Sequence, residues 1–186
     1  MLKNTYEQLL QADSAITLTA VEADYVTKHA LAEAVAPGEL HVTVLERLNK
    51  ETEELIAEEG QDFLQTPISY LKDNQEQFIY AELAELDRVR TDAFALEYDD
   101  VFKTYTAMFA VALQKKYKTE IQAHLLGTLD VEEFKSSVAF EGKEGVWEMN
   151  IALEAMNDFR AEMTFAEVYE LLFKFVFTLL EKVEQA

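Results

Sequence analysis

The stretch from Thr164 to Val183 constrains the fold more than any other part of the chain, because it reads as a helix that is apolar around most of its circumference. Thr164-Phe165-Ala166-Glu167 is a capping box, in which the Thr hydroxyl and the Glu carboxylate satisfy backbone amides reciprocally, and Met163 and Val168 are placed to staple it. Phe165, Val168, Leu172, Phe175, Leu179 and Val183 form one apolar seam, and Leu171, Phe173, Val176, Phe177 and Leu180 widen it well beyond a one-sided face. Only Glu167, Glu170, Lys174, Thr178 and Glu181 make a polar stripe. A helix of this kind is a central core element or an oligomer interface. Lys174 splits the apolar run to well under the ~20 residues that a spanning helix needs, so no membrane segment is expected. One small sheet cannot cover that girth, so a homodimer is expected.

A chain of 186 residues fits a single domain, 1–186, large enough to fold without disulfides or metal staples. The balance of 36 acids against 16 bases gives a formal charge of −20. Phosphate binding depends on clustered Lys and Arg, so no nucleic-acid partner is expected, and anionic membrane surfaces are disfavoured by the same sign. A hydrophobic content of 49% is too high for a disordered acidic chain, so the charge coats a real core. There are no cysteines, which excludes disulfides, thiolate metal sites and a thiol nucleophile and fits a reducing compartment. Met1-Leu2-Lys3-Asn4 leads into an amphipathic segment without the apolar run of a signal peptide, so a cytoplasmic location is expected.

Periodicity points to an α+β fold that is predominantly helical. A body of four to five helices is expected over about 1–127, followed over about 128–186 by a small antiparallel hairpin or sheet packed by the long apolar C-terminal helix. A first helix opens at Asn4-Thr5-Tyr6-Glu7, and Thr19-Ala20-Val21-Glu22 is a second capping box opening a helix to about Val35, with a short strand over 15–18 between them. Leu40, Val44, Leu45, Leu48, Leu55 and Ile56, with the pairs Glu46/Lys50 and Arg47/Glu51, read as a helix ending at Gly60, although His41-Val42-Thr43-Val44 has strand chemistry. Thr66-Pro67 starts a helix to about Arg90, and Asp99 or Asp100 caps a long one reaching Leu125, with Gly127 past its end. Past Gly127 the period changes. Trp147, Met149, Ile151 and Leu153 alternate with Val146, Glu148, Asn150 and Ala152, and Val138 and Phe140 supply a hairpin partner across a five-residue loop; a third strand is expected near 159–163.

Candidate chemistry is sparse. The three histidines, His29, His41 and His124, stand in no Glu-x-x-His pattern of the kind that di-metal bundles use. The acidic groups Glu51/Glu53/Glu54 with Glu58/Glu59, Glu82/Glu85, Asp99/Asp100 and Glu132/Glu133 match no calcium loop and read as solvated faces. Ser69-Tyr70-Leu71-Lys72 matches Ser-x-x-Lys, but the companion motifs of that catalytic class are missing, as are the glycine-rich nucleotide and hydrolase motifs. No catalytic residue, metal ligand or cofactor is therefore assigned. If a pocket exists, Tyr98, Trp147 and His124 are its candidates, with Tyr80 a further aromatic of interest.

By elimination, the leading expectation is a non-enzymatic protein acting through protein–protein contacts, either self-association or capture of a basic partner, with Glu51, Glu54, Glu58 and Glu59 as the interaction surface. A small-molecule binding protein or enzyme with an apolar pocket between helices and sheet is the alternative. An acidic mimic of nucleic acid is the third.

Overall fold

A computed structural model describes residues 1–186 except 13–15, 34, 132 and 135. At its centre are seven antiparallel strands: β1 (Val42–Asn49), β2 (Leu55–Glu58), β3 (Gln77–Leu83), β4 (Phe94–Asp99), β5 (Thr104–Val111), β6 (Ser137–Glu141) and β7 (Val146–Ala152). Their order in the sheet is β2-β1-β3-β4-β5-β7-β6. Among the described residues there are α-helices α1 (Leu2–Ala12), α2 (Ala20–Lys28), α3 (Tyr70–Asp73), α4 (Lys118–Thr128) and α5 (Phe165–Glu184).

The expected helical body over 1–127 is thus corrected: the fold is α+β but built on a large sheet, not predominantly helical with a small hairpin. Three segments read as helices are strands. The pairs Glu46/Lys50 and Arg47/Glu51 run from β1 into a hairpin turn, where the Asn49 side-chain oxygen accepts the Glu51 and Thr52 amides at 2.9 and 3.0 Å. The helix expected from Pro67 to Arg90 is a single turn, α3, followed by β3, in which Gln77, Ile79, Ala81 and Leu83 are buried in alternation with half-buried Phe78, Tyr80 and Glu82. Asp99 does cap, but it caps a strand turn: its Oδ1 accepts the Val101 and Phe102 amides at 2.8 and 2.9 Å, and the chain reverses into β5. The helix resumes only at α4, which runs through Gly127. In each case β-branched and aromatic residues with a period of two were competing with apolar spacings of three and four, and pairing with distant strands decided the outcome.

The C-terminal part is closer to expectation. β6 and β7 form a hairpin with Val138 opposite Met149 and Phe140 opposite Trp147, and Gly145 supplies the left-handed backbone (φ 75°) that its turn requires. No strand forms over 159–163. The strand expected over 15–18 begins at Ala15, outside the described residues, and 16–18 join no strand.

The apolar girth of α5 is wrapped by its own chain, and its polar stripe stays exposed or half-buried. Phe175 meets Phe109 of β5 edge-on at 6.3 Å and His124 of α4 at 4.7 Å, while Phe177 meets Tyr6 of α1 at 6.0 Å and Tyr25 of α2 at 5.5 Å. Phe165 stacks on Phe63 of the 3₁₀ turn Gln61–Gln65 at 5.3 Å. Both halves of the Thr164–Glu167 capping box are made. Its whole apolar girth is buried in one protomer, so the premise of the expected homodimer, a stripe left for a second copy to cover, does not hold.

Every long helix contributes to one buried cluster with a single face of the sheet, the face of Ile79, Phe94, Leu96, Phe109, Met149 and Ile151. Leu48, Phe78, Tyr80 and Met108 point the other way, half-buried and outside that cluster. Among the described residues, the sheet is therefore covered by helices on one side only.

Candidate interaction face

Residues directly opposite in an antiparallel pair share a face, so the uncovered side can be read across the sheet from the pairing alone. One row runs Glu58, Glu46, Tyr80, Ala95, Met108, Asn150, Ser137 from β2 to β6. The next runs Leu55, Leu48, Phe78, Glu97, Thr106 and ends on β7 at Ala152, which is buried, and on the other side Glu82 and the Ala110–Glu148–Ala139 row complete the surface. Every carboxylate carried by a strand lies on this side: Glu46, Glu58, Glu82, Glu97, Asp99, Glu141 and Glu148. Arg47, the one strand cation among the described residues, points to the helical side, where it donates to Glu59 (2.5 Å), Tyr70 (3.1 Å) and Gln77 (3.2 Å). The result is an apolar centre of Phe78, Tyr80, Ala95 and Met108 ringed by carboxylates.

Electrostatics on this face are dominated by one sign. Glu46 and Glu58 stand directly opposite each other, a like-charge pair that costs the sheet roughly 0.2–1 kcal/mol. Lys50, in the β1–β2 turn, reaches Glu97 at 3.4 Å while donating to the Tyr98 carbonyl at 2.6 Å. The Tyr80 hydroxyl donates to Glu82 at 2.8 Å. Burial, then that hydrogen bond and the charges of Glu82, Glu46 and Asp92, push its phenol up to about 12.

The residues named from sequence are distributed as follows. Glu51, Glu54, Glu58 and Glu59 sit on the β1–β2 hairpin rather than on a helix; the first three are exposed, and Glu59 is held by Arg47. Tyr98, Trp147 and His124 do not converge. Tyr98 packs on Tyr105 of the covered face at 5.2 Å, and Trp147 lines a hollow of about 210 Å³ against Ile121 and Leu125 of α4 that includes neither of the others. Ser69 and Lys72 are both exposed, Glu85 is buried and accepts the His41 amide at 3.0 Å, and Glu132 lies outside the described residues. Glu46, Glu82, Glu97 and Glu148 were not singled out as a surface; strict alternation in Phe94-Ala95-Leu96-Glu97-Tyr98-Asp99 was the available signal.

A different concavity follows the polar stripe of α5. A hollow of about 400 Å³ lies over Leu40, Met163, Leu171 and Phe173, and four of its rim charges pair off, Lys174 with Asp158 at 3.0 Å and Arg160 with Glu167 at 4.0 Å, while Glu170 on the same rim pairs with no base among the described residues. In its wall the buried Thr19 hydroxyl has no hydrogen-bond partner among the described residues, and burial with the charges of Glu39 and Glu167 holds the Glu170 carboxyl above its ordinary range; one hydroxyl and one carboxyl are fewer polar groups than a ligand site brings together. Among the described residues no group of three or more His, Asp or Glu side chains is disposed to hold a metal, and no helix is long and apolar enough to cross a membrane.

His124 is wholly buried in α4, with Nε2 donating to the Phe175 carbonyl at 3.1 Å and Nδ1 without a partner. Burial first, and then the charge of Lys182, hold its pKa at about 4, below the ordinary 6.5, and the Phe175 bond only partly offsets them. The unfolded chain therefore takes up a proton before the folded one does, and the stability present above pH 6.5 is lost as pH falls toward 4. By that linkage the wild type should lose about 2 kcal/mol between pH ~7.5 and ~5 through this one group. Urea unfolding of the wild type and of His124→Asn at the two pH values measures it; an equal pH dependence in both would remove His124 as the cause.

Comparison of the chain with protein-family models, curated proteins and solved structures finds no match.

Proposed function

We propose that this protein is a cytoplasmic, non-enzymatic binding protein that docks a basic protein segment on the uncovered face of its sheet. The carrying observation is the segregation of charge: all strand carboxylates on the open face, the strand cation on the other. Carboxylates that cost stability by facing one another gain it when a partner brings lysine or arginine between them. The apolar centre provides the dry contact that such a ring surrounds in stable interfaces. The absence of cysteine supports the reducing compartment.

A second copy of this chain fits less well, since apposing two such faces sets carboxylate against carboxylate in a protein of net charge −20. A nucleic-acid mimic also fits less well: the row that begins Glu58, Glu46 continues through five uncharged residues, whereas a duplex presents charge without interruption.

A photoreactive residue at Met108, on the open face, and another at Thr178, on the polar stripe of α5, separate the readings. Cross-linking in cells should join Met108 to a protein segment of net positive charge, with a yield that falls between about 0.05 and about 0.5 M salt in extracts, and should leave Thr178 unreacted. Equal yields at the two positions, a neutral or acidic segment, or cross-links only to other copies of this chain would overturn the proposal.

A further inference from the structure

We infer that the partner, besides the part that lies on the face, adds a strand to the sheet along the outer edge of β2, an inference that rests on the basic-partner reading above. β2 ends the strand order, so among the described residues its outward backbone groups pair with no other strand. The Asn49 amide to Glu54 carbonyl (3.0 Å) and Glu59 amide to Leu45 carbonyl (2.8 Å) bonds turn Glu54 and Glu59 toward β1, and ladder alternation leaves the Glu58 amide and carbonyl facing outward. Beside them Leu55 and Ile56 are 51% and 44% exposed, apolar surface that an added strand would cover.

Open edges are usually blunted by lysine or proline, and the sequence Leu-Ile-Ala-Glu of β2 contains neither. The opposite edge is guarded: Lys115 lies 5.7 Å above the Phe140 ring of β6, and Lys143 follows in its turn. What protects β2 is shortness and negative charge. Glu58 with Glu46 behind it, and Glu51, Glu53 and Glu54 in the adjoining turn, repel another acidic copy, while both cations of the hairpin, Arg47 and Lys50, are held by Glu59 and Glu97. The same charges attract a strand that places lysines on the open face. Such an edge is closed to self and open to a basic segment, the form of selectivity that repulsion provides.

The test uses the wild-type chain and three synthetic probes of equal length: alternating Lys–Val, the same peptide N-methylated at every second residue along its pairing edge, and alternating Glu–Val. The Lys–Val peptide should bind and slow amide exchange at 55–58, the N-methylated form should bind at least about tenfold more weakly, and the Glu–Val peptide should not bind. If N-methylation changes nothing while Glu–Val still fails, basic segments lie on the face without entering the ladder; strand addition is then wrong and the basic-partner reading stands. If Glu–Val binds as well as Lys–Val, both fall. Failure of the Lys–Val peptide to bind, or binding without protection of 55–58, overturns the inference.

Discussion

Replacing Glu22 by alanine should lower the stability of the fold by about 3–5 kcal/mol. Glu22 is wholly buried at the third position of α2, where it accepts the Thr19 amide at 2.6 Å to complete the capping box. It also accepts the Tyr6 hydroxyl of α1 at 2.6 Å and the Arg88 guanidinium at 3.0 Å, from the 3₁₀ turn Leu86–Val89 between β3 and β4. One carboxylate thus ties two helices to the sheet. Arg88 is only 14% exposed, so its charge would lose its one counter-ion among the described residues and keep only the Thr17 carbonyl at 3.1 Å in a setting that solvates it poorly, and the Tyr6 hydroxyl would lose its acceptor. Urea unfolding at fixed pH checks the value. In Glu22→Ala with Arg88→Met the loss should be smaller than in Glu22→Ala alone, because the stranded charge is gone. A midpoint shift worth less than about 1 kcal/mol in the single variant would show that water replaces the carboxylate at little cost.

Phe175→Ala is expected to cost a similar amount, about 3–5 kcal/mol, through lost transfer energy and the cavity left behind. The ring is 4% exposed and fills the space between β5 and α4. Neither wall can close readily, since Phe109 is fixed in the sheet and His124 is held through the Phe175 carbonyl, which the substitution leaves in place. Phe175→Leu, which keeps most of the volume, should recover much of the loss. An unchanged denaturation midpoint in Phe175→Ala would place α5 at the periphery of the core.

How much of this was legible differs along the chain. α5 could be read because its cap, its girth and its polar stripe are all local features, and β6–β7 because a glycine-containing loop joins two short alternating runs. β1, β3 and β5 could not be read with the same rules. Phe78-Ile79 and Leu83 stand at helical spacings as well as at alternating ones, and what selects the strand is pairing with Leu96 and Ala95, far along the chain. The interaction face shows the same limit. Glu58 stands in a dense acidic run, whereas Glu46, Glu97 and Glu148 come to share one face only when strands from three parts of the sequence are aligned. The expected pocket of Tyr98, Trp147 and His124 grouped residues by type, and type alone carries no geometry.

Glu46→Lys separates binding from stability. The substitution converts the like-charge pair with Glu58 into an attractive one, so the fold should be unchanged or more stable by up to ~1 kcal/mol. It also puts a cation where the ring must be negative. Urea unfolding and cross-linking through Met108, measured on the same variant, should therefore move in opposite directions, with stability kept or raised and capture of the basic segment greatly reduced. Capture at the wild-type level in the folded variant would contradict a carboxylate-ringed docking face.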